Sequence, residues 1–567
     1  MDVNILVGGA AGQGMDTVMN LLGKTLVRHG YEIIYTKDYM SRVRGGHNFS
    51  RLRIAAQTPW TPVNMIDILV ALNEETYLNH ISNLSPTGRI IFDPDSFSLP
   101  AEERRGLPVE LLKLAKEHGG PVMANTVAVG ALLVMIGLET GTTEKLLEEF
   151  FAGKEGIAEE NINALKAGYK SASRKCDACF DLPAVKSDVK KLFIEGNQIL
   201  GMSALASGCR FLSAYPMTPS TGIMNYLASK SGELPLVVEQ AEDEIAAINM
   251  ALGASYAGVR ALTVTSGGGF SLMVEGLSLA GMTETPLVII VAMRPGPATG
   301  LPTRTEQGDL SFVVSAGHGE FPRAVLSATS HEDAFYRLNK AFDLADRFQV
   351  PVIFLSDQNF ADTHRSLEPF DFGRLTYNRY LVEENEINKP YKRYEITESG
   401  ISPRALPGQY PGEVVLIDSD EHDEKGNIIE DAKTRNLMVE KRMRKLALLA
   451  DEMDEPDLYG DTQPERLILG WGSTYGVLRE AVDALSAAGI KTAMLHFSDL
   501  WPLPRRRLMS LLPHVKKSYC VENNAGGQLA ALVRKETGIP VNRLILKYDG
   551  RSFMPDEIVR EVERDGK

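Results

Sequence analysis

A short apolar run, Leu287-Val288-Ile289-Ile290-Val291-Ala292, constrains this chain more than any other stretch. It is too short for a helix, rich in β-branched residues and preceded by Pro286, so it reads as a strand buried on both faces of a parallel sheet. Parallel strands need crossover connections, so this run commits the chain to an α/β fold. Arg294 follows at once, where a guanidinium can grip a carboxylate or phosphate. The loop after it is stiffened by Pro295, Pro297 and Pro302 and loosened by Gly296 and Gly300. Ligands of open α/β sheets bind just past the carboxyl ends of strands, and this loop lies there. A plain surface crossover would look the same in sequence.

At 567 residues the chain predicts three or four domains of about 150 residues each. Its 44% hydrophobic and 24% charged residues are enough to give each domain a core of its own. The net charge of −14 argues against a non-specific nucleic-acid binder. No Lys/Arg-rich amphipathic helix marks a membrane surface, and the apolar runs fall far short of the ~20 residues that span a bilayer. The start, MDVNILVGG, reads as a first strand and not as a signal peptide, so a cytoplasmic protein is expected. The four cysteines are Cys176, Cys179, Cys209 and Cys520. Cys176 and Cys179 form a CxxC without a second pair or nearby histidines, whereas a zinc or iron–sulfur site needs about four ligands. They are expected to be incidental thiols, with no metal site in this chain.

Val3 to Val7 read as a strand, Gly8 to Gly14 as a glycine-rich turn and Met15 to His29 as a helix. Free N–H groups at such a turn can cradle phosphate. The spacing is GxxGxG and not the dinucleotide fingerprint GxGxxG. No clear acid ends the second strand, Glu32 to Tyr35, which weakens a nicotinamide reading. The loop that follows carries Arg42 and Arg44, which suit either a solvated face or an anionic ligand. A boundary is expected near 180–190. In the second unit a strand runs into the rigid turn Tyr215-Pro216-Met217-Thr218-Pro219. Strand 236–238 leads to Glu239-Gln240-Ala241-Glu242-Asp243-Glu244 and an Ala/Gly-rich helix. Four acids there would ordinarily be a solvated helix start favoured by the macrodipole. Strand 261–265 ends at Ser266-Gly267-Gly268-Gly269, where a backbone can approach a ligand closely. Residues 366–465 are polar and proline-broken, and read as a linker with local structure. Within them Asp418 to Glu424 is an exposed acidic loop in preference to a metal site, because it lacks spaced ligand positions. Residues 466–567 read as a compact α/β domain.

Three segments, AYPMTPSTG at 214–222, EDEIAAINMALGASYAG at 242–258 and MRPGPATGLPTRTEQGDL at 293–310, closely resemble the α subunit of 2-oxoacid:ferredoxin oxidoreductases. Loop 294–309 looks most like the 2-oxoglutarate members. GGAAGQG and RGGHN resemble the family's γ subunit, here fused ahead of α, and 466–567 resembles its transketolase C-terminal-like domain. The resemblance implies a γ-type Rossmann-like domain (1–185), a pyrimidine-side thiamine diphosphate-binding domain (186–365), the linker region (366–465) and the C-terminal domain (466–567).

It also implies a function: oxidative decarboxylation of 2-oxoglutarate with CoA to succinyl-CoA and carbon dioxide, with electrons passed to ferredoxin. In such enzymes a glutamate hydrogen-bonds N1′ of the cofactor's aminopyrimidine. Glu239, Glu242 and Glu244 compete for that role; the family's E-x-x-A pattern selects Glu244, with Glu242 next. Thr218 is implied to contact the substrate and Arg294 to pair with its 2-oxoacid carboxylate. Arg304, with Thr303, is the candidate for a second carboxylate, although Arg304 could equally pair with Glu306 or Asp309. Tyr215, Pro216, Gly267 and Gly268 are expected to line the cofactor, and Gly12, Gly14, Arg42 and Arg44 to meet the phosphates of CoA. The chain shows neither the GDG…N segment that binds the diphosphate through magnesium nor a cluster-binding cysteine set. A β subunit is therefore expected to supply the diphosphate site, magnesium and an iron–sulfur cluster, in an (αβ)2 heterotetramer that is inactive without it. The alternatives are the same enzyme acting on pyruvate or a branched 2-oxoacid, and a nucleotide-binding scaffold subunit.

Overall fold

The computed structural model describes residues 2–41, 45–154, 156–176, 179–185, 189–386 and 389–564. The chain forms two compact units, Met1–Glu195 with Asp362–Pro369, and Gly196–Ala361 with Phe370–Lys567.

The strands are, in chain order, β1 (Asp2–Ala10), β2 (Glu32–Asp38), β3 (His47–Ala55), β4 (Ile66–Ala71), β5 (Leu84–Phe92), β6 (Gly106–Pro108) and β7 (Leu192–Glu195). Then come β8 (Phe211–Ala214), β9 (Val237–Gln240), β10 (Ala261–Thr265), β11 (Leu287–Met293), β12 (Ala324–Ser327), β13 (Pro351–Asp357) and β14 (His364–Leu367). The last are β15 (Asp457–Gly460), β16 (Arg466–Trp471), β17 (Thr492–Phe497), β18 (Asp499–Trp501), β19 (Lys517–Glu522) and β20 (Arg543–Leu546).

The first unit is built on one mixed sheet of order β6-β5-β4-β1-β3-β2-β14-β7. β1 runs parallel to β4 and antiparallel to β3. An apolar helix, Ala124–Met135, is buried from Thr126 onward. The expected boundaries at 185 and 365 miss an interleaving. β14, reached only after β8 to β13 of the second unit, inserts between β2 and β7 and completes this sheet. Cys176 and Cys179, expected as incidental thiols, are joined as a disulfide with Cα atoms 5.9 Å apart. Cys209 and Cys520 are free and buried.

The second unit holds two sheets, β18-β12-β13-β11-β10-β8-β9 and β15-β17-β16-β19-β20. All seven residues of β11 are buried, as the opening run requires. It lies between β10 and β13, parallel to both, and each large apolar side chain so buried contributes about 1.5–3 kcal/mol. The two sheets share one apolar core, in which Val291, Leu310 and Val313 meet Leu469, Trp471 and Leu529. β18, from the C-terminal segment, leaves its own domain and pairs antiparallel with β12 at the edge of the central sheet.

Region 366–465 is less exposed than its composition suggests. Asp431 caps the helix Ala432–Glu452, accepting from Thr434 N at 2.9 Å. Lys441 and Lys445 on that helix are fully buried and share the carboxylate of Glu284, Lys441 Nζ at 2.6 Å from Oε1. Arg393 Nη2 donates to the Glu284 carbonyl at 2.7 Å. Burial alone would raise the Glu284 carboxyl, but Lys441, Lys445 and Arg393 hold it well below the usual carboxylate range. Burial pulls both lysines down. The expected exposed acidic loop is partly buried too. His422 is fully buried against Tyr394, and Glu421 pairs with Arg442 at 2.7 Å.

Candidate active site

The strand order of the central sheet, β18-β12-β13-β11-β10-β8-β9, reverses at β8. From β8 the chain moves outward to β9 and then returns to the other side of β8 to lay down β10. The crevice outside the carboxyl ends of β8 and β10 is thus a topological switch point, where open parallel sheets bind ligands. Turn 215–220 leaves β8 there, Ser266 to Gly269 leave β10, and the Arg294 loop leaves neighbouring β11. The helix that follows β9 begins there with Glu244.

Asp243 fixes that helix start. Its side chain accepts from Ala246 N at 2.7 Å, which makes Glu244 the first helical residue. Glu244 is 3% exposed, whereas Glu239 and Glu242 are exposed, so burial separates the three competing acids. Glu244 Oε1 is buried without a hydrogen-bond partner. It can sit so deep because position 269 is glycine. A Cβ there would lie 2.5 Å from Glu244 Oε1 and 2.1 Å from Thr265 Oγ1. On the other side of the same turn, a Cβ at Gly267 would lie 2.3 Å from Asp309 Oδ2. At Gly268 a Cβ would approach only Ala298 O, at 3.8 Å, so the middle of the turn faces open space.

Three buried oxygens around this turn lack partners: Glu244 Oε1, Ser266 Oγ and Asp309 Oδ2. An unsatisfied buried polar group costs about 1–3 kcal/mol, so a cluster of three calls for an explanation. A bound polar ligand supplies one. Burial pushes the Asp309 carboxyl up to about 6. The sequence hid Asp309, because an acid just before an apolar helical segment reads as a cap. The residue does precede the helix Leu310–Ser315, but its side chain makes no capping bond.

Arg294 and Thr218, each expected at the substrate, meet one another. Arg294 Nη1 donates to Thr218 O at 2.7 Å, and burial lowers the guanidinium's pKa. Thr218–Pro219 and Gly296–Pro297 are cis peptides. Asn197 Nδ2 donates to Pro219 O at 2.9 Å and anchors the turn from behind. Tyr215 is exposed and Pro216 half-buried at the mouth of the turn. Thr303 is buried and Arg304 half-buried further along the loop.

In the first unit, Gly14 adopts φ 76° and precedes the helix Met15–Arg28. Gln13 Oε1 accepts from Ala10 N at 2.6 Å and closes the turn. A Cβ at Gly12 would meet nothing within 4 Å, so the turn's outer face is open. Arg42 and Arg44 lie outside the described residues. Sequence reasoning passed over His47, in the RGGHN segment. It is buried with its Nε2 2.8 Å from His80 Nε2, and burial holds His80 down to about 4. Only the tertiary pairing of β3 with helix Glu74–His80 reveals that pair.

Three family models match. "Pyruvate ferredoxin/flavodoxin oxidoreductase" matches residues 4–171, "Pyruvate flavodoxin/ferredoxin oxidoreductase, thiamine diP-bdg" matches 202–441, and "Pyruvate:ferredoxin oxidoreductase core domain II" matches 465–558. The chain is 32% identical to the 2-oxoacid:ferredoxin oxidoreductase subunit alpha of Saccharolobus solfataricus, over 99% of this chain and 98% of that one. It is 31% identical to the 2-oxoglutarate oxidoreductase subunit KorA of Mycobacterium tuberculosis, over 99% of this chain and 91% of the relative. Among solved structures it is similar to 2-oxoglutarate:ferredoxin oxidoreductase from Magnetococcus marinus with 2-oxoglutarate, coenzyme A and succinyl-CoA bound. The TM-score is 0.93 at 31% identity, covering 100% of both chains. These relatives and family models define the class as an oxidoreductase that acts on oxo groups. The chain belongs to the 2-oxoacid:ferredoxin oxidoreductases, as an α subunit.

Proposed function

We propose that this chain is the fused γα subunit of an enzyme that converts 2-oxoglutarate, CoA and two oxidised ferredoxins to succinyl-CoA, carbon dioxide, a proton and two reduced ferredoxins. The observation that carries the site assignment is the buried, unpartnered Glu244 Oε1 beside a glycine turn that is open at Gly268. These residues fit the aminopyrimidine half of thiamine diphosphate. Gly267 and Gly268, with Tyr215 and Pro216, would hold that ring, and Glu244 would meet one of its nitrogens. When bound, the cofactor supplies the nucleophilic carbon and the electron sink for decarboxylation. Glu244 Oε1, buried and unpartnered, would exchange a proton with that nitrogen, the general acid–base task of a positioned carboxyl. Arg294, braced by Thr218 O, takes the carboxylate next to the reacting carbonyl; its planar fork orients that group. Arg304 and Thr303 take the distal carboxylate that distinguishes 2-oxoglutarate from pyruvate.

The proposed division of labour follows from what the chain offers. It supplies the pyrimidine side, and a β subunit supplies the diphosphate site, magnesium and the iron–sulfur cluster that leads to ferredoxin. Exposed Val237, Ile245, Met250 and Leu272 leave apolar surface on the segments around Glu244, which supports a covering subunit in an (αβ)2 assembly. The glycine turn at Gly12 and Gly14, with Arg42 and Arg44, is the proposed contact for the phosphates of CoA. A cytoplasmic enzyme fits the absence, among the described residues, of any helix long and apolar enough to cross a membrane. The test is a substrate panel on the complex co-expressed with its β subunit. Arg304→Ala is expected to abolish the preference for 2-oxoglutarate and spare pyruvate turnover. An unchanged preference removes Arg304 from the account.

A further inference from the structure

The smaller sheet of the second unit has a switch point of its own, and the chain fills it with its own loop. In the order β15-β17-β16-β19-β20 the chain leaves β16 towards β17 and returns to the other side of β16 for β19. The ligand crevice of such a sheet lies outside the carboxyl ends of β16 and β19, at Trp471–Gly472 and Glu522–Asn524. Gln307, fully buried, occupies it. Its Nε2 donates to Trp471 O at 2.8 Å, and its Oε1 accepts from Asn523 N at 2.9 Å. Its own N–H donates to Asn523 O at 2.6 Å, and its carbonyl accepts from Asn524 Nδ2 at 3.1 Å. Every polar atom of one residue is thus matched by the crevice. Gly472, at φ 59°, leaves the room: a Cβ there would come within 2.8 Å of Gln307 Nε2.

A second glutamine reciprocates from the sheet towards the loop. Gln528 Nε2 donates to Gly308 O at 2.7 Å, and Gln528 Oε1 accepts from Ser311 N at 2.8 Å. Behind the crevice, buried Glu522 accepts from Asn524 Nδ2 and Leu529 N, both at 2.9 Å, and so fixes the socket. Three residues upstream of Gln307, Arg304 packs against Gly550, where a Cβ would lie 3.0 Å from Arg304 Cβ. Thr305 N donates to Gly550 O at 3.3 Å. The tail of the loop that starts at Arg294 is therefore held by the turns after β16, β19 and β20, together with Asp357 at the end of β13, whose Oδ1 lies 3.4 Å from Thr305 Oγ1.

We propose that Gln307 is a positioning residue for substrate selection: seated in the switch-point crevice of the C-terminal sheet, it fixes the path of loop 294–309 and thereby aims Arg304 at the distal carboxylate of a dicarboxylic 2-oxoacid. The inference rests on the reading of that loop as the substrate loop. A guanidinium grip on a carboxylate is directional, and a misplacement of about 1 Å at such a contact can cost on the order of a hundredfold. Release of the clasp should therefore weaken 2-oxoglutarate far more than a monocarboxylic substrate, which needs only Arg294.

The experiment uses the complex assembled with its β subunit, comparing wild type, Gln307→Ala and Gln528→Ala. Hydrogen exchange over residues 295–306 reads the loop, and steady-state kinetics with 2-oxoglutarate and with pyruvate read selection. Gln307→Ala is expected to accelerate exchange in the loop and to raise KM for 2-oxoglutarate about tenfold or more, with kcat within about threefold. The KM for pyruvate should move by less than about threefold. Gln528→Ala should act in the same direction more weakly; its half-buried side chain at the rim makes it the deciding variant if Gln307→Ala fails to assemble. Unchanged loop exchange overturns the clasp, whatever Arg304→Ala does. Faster exchange with an unaltered preference overturns the role of Gln307 in substrate selection, whereas the assignment of Arg304 stands or falls on Arg304→Ala.

Discussion

Glu244 differs from the other acids at its helix start in having a buried oxygen with nothing to bond to. In the assembled enzyme, Glu244→Gln is expected to lower kcat by about 10²–10⁴, the range for losing a general acid–base group, with the melting temperature of the complex unchanged. The glycine turn allows a sharper contrast. Gly268→Ala places a methyl in open space and should leave thermal stability intact while obstructing the ring site, so calorimetric binding of thiamine diphosphate to the complex should weaken. Gly269→Ala drives a methyl into Thr265 Oγ1 and Glu244 Oε1 and should cost about 1–3 kcal/mol of stability as overpacking, measured by chemical denaturation. At this scale the sequence was legible where a motif had a fixed local geometry. Thr218 and Arg294 were each picked out by their motifs, and the structure bonds Arg294 Nη1 to Thr218 O. Asp309 was named only as a possible partner of Arg304 and Gln307 not at all, because their neighbours at 267, 471 and 523 are distant in sequence and a lone acid or amide in a loop carries no period and no turn signal.

Among the elements, the helix Ala432–Glu452 shows why a polar segment can be structural. Lys441 and Lys445 would ordinarily belong on a solvated face, yet both meet Glu284 out of contact with water. Glu284→Ala leaves two buried amines without a counter-charge and is expected to cost about 3–5 kcal/mol, read as a fall in unfolding midpoint. No composition-based reading of 366–465 could see this, since charge reports average exposure and not pairing. The parallel strands β10, β11 and β13, by contrast, follow from apolar runs of the right length. At the edge of the first sheet, Glu195 ends β7 with Lys37 Nζ 3.9 Å away and His364 Nε2 at 3.5 Å. Burial pushes its carboxyl up to about 7, against the opposing pull of Lys37. A carboxyl raised on folding favours the folded state in its protonated form. That contribution is fully present below the unfolded value near 4.5 and is lost as pH rises through about 7. Between pH 5 and 8 the first unit should lose up to about 3 kcal/mol from this group. Glu195→Gln should flatten that slope in pH-stepped hydrogen exchange of β7 and β14.

At the scale of the whole molecule, an α subunit implies further subunits, and the division of labour proposed above makes predictions for the chain in isolation. Purified alone, the chain is expected to be colourless, inactive on any 2-oxoacid and not measurably stabilised by thiamine diphosphate with magnesium. With its β subunit the same addition should raise the melting temperature, since a ligand stabilises only the state that binds it. The α/β architecture was legible at this scale; the exchange of β14 and β18 between sheets was not, because strand order depends on pairings that short apolar runs do not encode. The placement of β14 has a consequence for how the protein is made. A ribosome adding roughly 5–20 residues per second releases Glu195 on the order of 10–30 s before it reaches Asp362. For that interval β2 is a bare edge, and exposed edges pair with whatever strand is at hand. The nascent chain therefore needs either a holding chaperone or fast closure of the central sheet, and a gene cut at residue 195 should yield an aggregating fragment that a peptide spanning 362–369, supplied in trans, partly rescues.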